Sequence, residues 1–184
     1  MKTRGVRGFT LIELIVALVV LAILAAVAMP SMGSFFARKR VEGVATELAT
    51  DLQYARSEAV QRNTTVRITF GTGCYVIHTV GSSATSCTQA SGATLGTGAI
   101  GIKTVQLDAN SSASLAPVAS LTYVAFDSVR GMASWDGTNT TQGAIDITSN
   151  AGPPWQLRVS VTAVGRTRTC SPNGSLTSTS ISQC

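Results

Sequence analysis

At 184 residues the chain has room for one modest domain and an appendage, which excludes a multidomain assembly. Its single histidine and its four cysteines, none in a Cys-x-x-Cys pair, argue against a zinc site and against a serine–histidine catalytic pair. The net charge of +5 is unevenly placed: without Lys2, Arg4 and Arg7 the 14 basic side chains fall to 11 against 9 acidic ones, and beyond Asp146 lie Arg158, Arg166 and Arg168 with no carboxylate side chain among them. That carboxyl-terminal stretch is a candidate surface for a polyanion.

From Phe9 to Met29 only Thr10 and Glu13 are polar. As a helix the run spans roughly 32 Å, enough for a bilayer core. A secretory signal cleaved after the small residues at 26–28 is the ordinary alternative. Charge leaves the orientation open, because Lys2, Arg4 and Arg7 on one side face Arg38, Lys39 and Arg40 on the other. A carboxylate inside such a run is costly, so Glu13 calls for a partner.

From Arg38 the pattern turns amphipathic. Val41, Val44, Leu48, Leu52, Ala55 and Ala59 recur at three- and four-residue steps as one helical stripe, with Glu42, Glu47, Asp51, Arg56 and Glu58 mostly on the other faces. The spacing predicts one helix from Phe9 to Arg62, kinked or locally melted at Pro30 and Gly33 and stopped at Asn63. Then the period becomes two. "TVRITF" and "CYVIHTV", joined by "GTG", predict a hairpin over 65–80, and a Gly-, Ser- and Thr-rich loop follows over 81–98. Further strands are predicted near 100–107, 121–126, 129–134, 143–148, 155–163 and 166–170. A helix covering one face of an antiparallel sheet makes the fold class α+β.

Cys74, Cys87, Cys170 and Cys184 form two close pairs in the sequence. They suggest local disulfides 74–87 and 170–184 in an oxidising compartment, although three pairings are possible. In "VGRTRTC" (164–170), Arg166 and Arg168 are two apart and so share a strand face, with Gly165 at the turn and Arg158 on the preceding strand. Guanidinium groups so placed suit consecutive phosphates.

Three stretches carry a family resemblance. "RGFTLIEL" resembles the processing site of type IV prepilins, with a basic leader, Gly8, Phe9 and an apolar helix bearing Glu13. The resemblance implies cleavage by a prepilin peptidase between Gly8 and Phe9, methylation of the Phe9 amine, and a neighbouring subunit's amine as the partner of Glu13. "DLQYARSEAVQRNTTVRI" (51–68) is similar to the helix-to-strand junction of the FimT/GspH group of minor pilins and pseudopilins. "GRTR" resembles the Gly-Arg-x-Arg motif with which FimT minor pilins bind DNA, matching at Gly165, Arg166 and Arg168.

The implied organisation is a leader over 1–8, a transmembrane and assembly half-helix over 9–30, an amphipathic half-helix over 31–63, and a β-rich periplasmic head over 64–184, a type IV pilin-like fold. The implied subunit passes once through the inner membrane, joins a pilus fibre beside other pilins, and binds DNA without regard to sequence in natural transformation. A GspH-like pseudopilin of a type II secretion system is the alternative, as is a minor pilin that only primes assembly.

Nothing in the sequence assembles an enzyme or calls for a cofactor. "GTGAIG" (96–101) fits Gly-x-Gly-x-x-Gly but leads into a predicted strand, where dinucleotide binding needs a helix. His78 alternates with apolar neighbours and reads as structural. Trp135, Trp155 and Tyr123 are candidates for stacking on bases, with core or interface packing as the simpler reading.

Overall fold

The computed structural model describes residues 9–80, 94–95, 98–108, 111–137, 142–178 and 181–184. Its first element is helix α1 (Leu11–Arg62), opened by Thr10, whose hydroxyl accepts the Glu13 N–H at 3.3 Å. Thr-x-x-Glu is the start signal of a capping box. At the other end Asn63 takes a left-handed φ of 50°, the Asn63 N–H donates to the Val60 carbonyl, and the Thr64 N–H donates to that of Ala59. This pair of bonds satisfies carbonyls that the last turn would otherwise leave open. The helix does not melt at Pro30 or Gly33. Proline forfeits one donor, and long bonded runs on both sides outweigh that loss.

The chain divides into two compact units, Met1–Phe36 and Ala37–Cys184. In the first, the described side chains from Phe9 to Ala26 are all exposed. In the second, Val41, Val44, Leu48, Leu52, Ala55 and Ala59 are buried, as their spacing predicts. Two carboxylates expected on the outer faces of the helix are buried as well: Asp51 is 4% exposed and Glu58 8%. Asp51 accepts the Tyr75 hydroxyl at 2.7 Å and the Lys103 ammonium at 2.7 and 2.8 Å, while Glu58 holds Arg62. Those partners offset the cost of burial. Burial, then the bond to Asp51, pushes the Tyr75 hydroxyl far above its ordinary pKa, which keeps it a donor.

Among the described residues ten strands follow: β1 (Val66–Gly71), β2 (Cys74–Thr79), β3 (Thr94–Leu95), β4 (Ala99–Gln106), β5 (Ala113–Pro117), β6 (Tyr123–Phe126), β7 (Ala133–Trp135), β8 (Gln142–Ser149), β9 (Gln156–Thr162) and β10 (Thr167–Cys170). They form not one sheet but two, ordered β3-β4-β2-β1-β6-β7 and β10-β9-β8-β5, and every pairing is antiparallel. The helical stripe shares one apolar core with Val66, Ile68, Tyr75 and Ile77 of the larger sheet and Ile145, Ile147, Leu157, Val159 and Val161 of the smaller. Each fully buried aliphatic side chain of this kind contributes about 1.5–3 kcal/mol. Trp135 and His78 are fully buried, so neither is offered to a base. Tyr123 lies under the Arg67 guanidinium at 4.4 Å and Trp155 under that of Arg38 at 5.9 Å.

The strand predicted over 129–134 begins only at Ala133, because Asp127 gathers the preceding residues into a turn. Its carboxylate accepts the N–H groups of Val129, Arg130 and Met132 at 2.6–3.1 Å. These bonds, led by that of Arg130, hold its pKa below the usual aspartate value. Ala99–Gln106 is a strand, so "GTGAIG" does not open a helix.

Candidate nucleic-acid interface

Strands β9 and β10 form a hairpin whose tip is set by Gly165. The Gly165 N–H donates to the Thr162 carbonyl at 2.8 Å and the Thr162 N–H to the Arg166 carbonyl at 3.0 Å, closing a three-residue loop. Such a loop needs a left-handed residue at its third position, and Gly165 supplies it with φ 75°. The Ala163 carbonyl accepts the Ala133 N–H at 2.8 Å, which ties the tip to β7.

Along β9, Leu157, Val159 and Val161 enter the core, so Arg158, Ser160 and Thr162 take the outer face. Arg168 stands opposite Ser160 and shares that face; Arg166 pairs through its backbone with Thr162. Both arginines are exposed. Arg168 donates through Nη2 to the Ser182 hydroxyl at 3.1 Å. Arg158 lies on the same outer face but is already engaged: its Nε and Nη2 donate to the two Asp146 oxygens at 2.6 and 2.8 Å. Arg158 thus stands on the face of the hairpin pair as expected, but with its charge matched, since β8 places a carboxylate directly opposite.

Cys170 and Cys184 are joined by a disulfide, and the Ser171 N–H donates to the Ser182 carbonyl at 2.9 Å beside it. Cys74 is oxidised too. Cys87 and Gly8 lie outside the described residues.

Two further arginines meet the hairpin. A groove of about 580 Å³ is lined by Gln53, Arg56, Ser57 and Val60 of α1, by Arg130, and by Gly165, Arg166 and Thr167. Spacing of three, four and seven puts the four helical residues on one stripe. The Gln53 amide donates to the Thr167 hydroxyl at 2.8 Å across it. Every Asp and Glu of the chain is among the described residues, and none of them pairs with Arg56, Arg130, Arg166 or Arg168. Glu42, Glu47, Asp51, Glu58, Asp108 and Asp146 hold other cations, while Asp127 and Asp136 bind backbone N–H groups. The head has thus spent its carboxylates elsewhere and left four arginines unneutralised around one hairpin.

The sequence reading missed Arg56 and Arg130. Arg56 carried a signal, for it has no acidic residue three or four positions away on its helix.

At the amino-terminal end, Phe9 and Glu13 are exposed, as are the apolar side chains from Leu11 to Leu24. A helix apolar on all faces packs into lipid or among other helices. Among the described residues no helix is long and apolar enough to cross a membrane. The described side chains of the run stop at Ala26, whereas in the sequence it continues to Met29.

A long amino-terminal helix packed on antiparallel sheets is the type IV pilin fold. Similar structures are two crystal forms of the type IV minor pilin FimU of Pseudomonas aeruginosa (strain PAO1). One has a TM-score of 0.52 at 18% identity, covering 73% of this chain and 90% of that one. The other has 0.49 at 17%, covering 70% and 90%. The type II transport protein GspH family matches residues 44–165, and the prokaryotic N-terminal methylation motif matches residues 3–29. The chain belongs to the GspH family, as a minor pilin or pseudopilin, and the two matches indicate a subunit anchored at the membrane and built into a fibre. No curated protein matches the sequence. The family match ends at Gly165, so neither Arg166 nor Arg168 falls within it.

Proposed function

We propose that this protein is a minor type IV pilin whose head binds DNA during natural transformation, with Arg166 and Arg168 as phosphate contacts and Gly165 shaping the turn that presents them. The observation that carries the reading is the charge distribution: arginines without carboxylate partners cluster at one hairpin, while the acidic side chains are engaged elsewhere. Phosphate contacts are blind to sequence, which suits uptake of any DNA. Prepilin peptidase would cut between Gly8 and Phe9, and the Phe9 amine, once methylated, would meet Glu13 of a neighbouring pilin as the helix leaves the inner membrane for the fibre. The head then stands in the periplasm, where its disulfides persist.

The GspH match favours a second reading, a pseudopilin of a type II secretion system in which the same helix builds a periplasmic fibre. The test is binding of the full chain in detergent micelles to random-sequence duplex DNA across a salt series. Two or three phosphate contacts give a slope of log affinity against log salt of about −2 to −3. Binding with that slope, lost in Arg166→Ala/Arg168→Ala, supports the DNA reading. Absence of binding at low salt removes it and leaves the secretion role, to be checked by identifying cross-linked partner subunits.

A further inference from the structure

We infer that Arg56 is a third phosphate-binding arginine of this surface, and that Gly131 and Gly165 are glycines because together they seat its side chain. The inference rests on the DNA-binding reading above and extends it from the hairpin to the helix.

The seat is defined by close approach. A Cβ on Gly131 would stand 2.8 Å from the Arg56 Nε and one on Gly165 would stand 2.9 Å from the same atom. The Gly165 Cβ would also lie 2.7 Å from the Gly131 carbonyl oxygen. Any side chain at either position therefore meets Arg56, and at Gly165 it meets backbone that has no room to yield. Both glycines have positive φ, 60° and 75°, so their conformation and their missing side chains serve the same junction. The turn around Asp127 brings up one glycine and the β9–β10 loop the other, and Arg56 of α1 lies against both.

This confinement has a consequence for binding. Arg56 is half-buried, and no carboxylate neutralises it. Holding the stem between two backbones removes rotamer freedom before any ligand arrives, so less entropy is lost on contact. The Arg56 side chain lines a concave groove that it shares with Arg130 and Arg166, with Gln53, Ser57 and Thr167 supplying neutral donors and acceptors. Among the described residues no aromatic side chain lines the groove, which fits a phosphodiester and gives a base nothing to stack on.

A purely structural arginine would use only its stem, and Arg56→Met separates the two roles by keeping most of the stem and removing the charge. The full chain in detergent micelles is titrated with a fluorescent random-sequence duplex at several salt concentrations. Arg56→Met is expected to weaken binding about three- to tenfold at low salt and to make the salt slope shallower by about 0.9, the loss of one phosphate contact. Arg56→Lys is expected to recover the slope but only part of the affinity. Should Arg56→Met unfold, the Arg56 Nε–Hε resonance of the wild-type chain, followed as duplex is added, decides in its place and is expected to shift. Unchanged affinity and slope in Arg56→Met, or a stationary resonance while duplex binds, overturns the inference and leaves the hairpin reading standing. No salt-dependent binding by the wild-type chain overturns both.

Discussion

Arg158 is clasped by Asp146 across β8 and β9 through two hydrogen bonds of 2.6 and 2.8 Å, whereas Arg168, on the same face, donates to a hydroxyl, that of Ser182. Two arginines of one hairpin thus have opposite expected phenotypes. Arg158→Ala leaves a largely buried Asp146 without its cation and is expected to cost about 1–2 kcal/mol of stability. Its duplex affinity should stay within twofold of wild type. Arg166→Ala/Arg168→Ala should melt like wild type and lose DNA. Urea unfolding and duplex titration of both variants check this, and the assignment fails if Arg158→Ala binds as poorly as the double variant.

The Cys170–Cys184 disulfide closes a separation of 14 residues and keeps Ser182 beside β10. Closing a loop of that size is worth about 3 kcal/mol in the chain-entropy account. Cys170→Ser/Cys184→Ser is expected to lower stability by about 2–3 kcal/mol and to free Arg168 from Ser182. A modest loss of affinity should follow, smaller than that of Arg168→Ala. An unchanged urea midpoint would show that the staple holds nothing.

Helix α1 and most strands were legible because their signals are local. The stripe from Val41 to Ala59 and the alternation in Val66, Ile68 and Phe70 each encode one face, and Asn63 is a stop that acts through its own φ. The division into two sheets was not legible, since alternation marks a strand and says nothing about which distant strand it joins. Strand β5 was missed for a different reason: "ASLAP" has one sizeable apolar side chain, Leu115, and no β-branched residue. Asp51 reads as a surface residue until β2 and β4 bring Tyr75 and Lys103 to it. The site follows the same division. Gly165 and its two arginines are contiguous, while Arg130 and Gly131 come from a turn far away in the sequence.

His78 predicts a pH dependence. It is fully buried, within 2.9 Å of the Thr69 hydroxyl and the Thr79 carbonyl, and faces the Arg67 charge. Burial lowers its pKa below the ordinary 6.5 and Arg67 adds to the shift, against the raising effect of the Thr79 bond. The unfolded chain then takes up a proton below pH 6.5 that the native chain refuses. Stability from this group is present above about 6.5 and is lost as pH falls toward the native pKa, at no more than about 1.4 kcal/mol per pH unit. Asp127 and Glu42, whose pKa values are lowered from 3.8 and 4.5, act only in more acidic solution. Urea unfolding at pH 7.5, 6 and 5 should show the decline in wild type and a flatter profile in His78→Gln; equal slopes would assign it to other groups.

Glu13 has two readings that one substitution separates. As the third residue after Thr10 it stands at the capping-box position, its N–H donating to the Thr10 hydroxyl. Glutamine serves a capping box as well as glutamate, so a merely local role survives Glu13→Gln. A role in meeting the Phe9 amine of a neighbouring subunit needs the negative charge, and burial of that amine without it is costly. Glu13→Gln is therefore expected to leave the unfolding of Ala37–Cys184 unchanged and to abolish incorporation into fibres, as detected in sheared pili beside a major subunit. Incorporation at the wild-type level in Glu13→Gln, with loss only in Glu13→Ala, would reduce Glu13 to a helix cap and leave register to the apolar faces of the helices themselves.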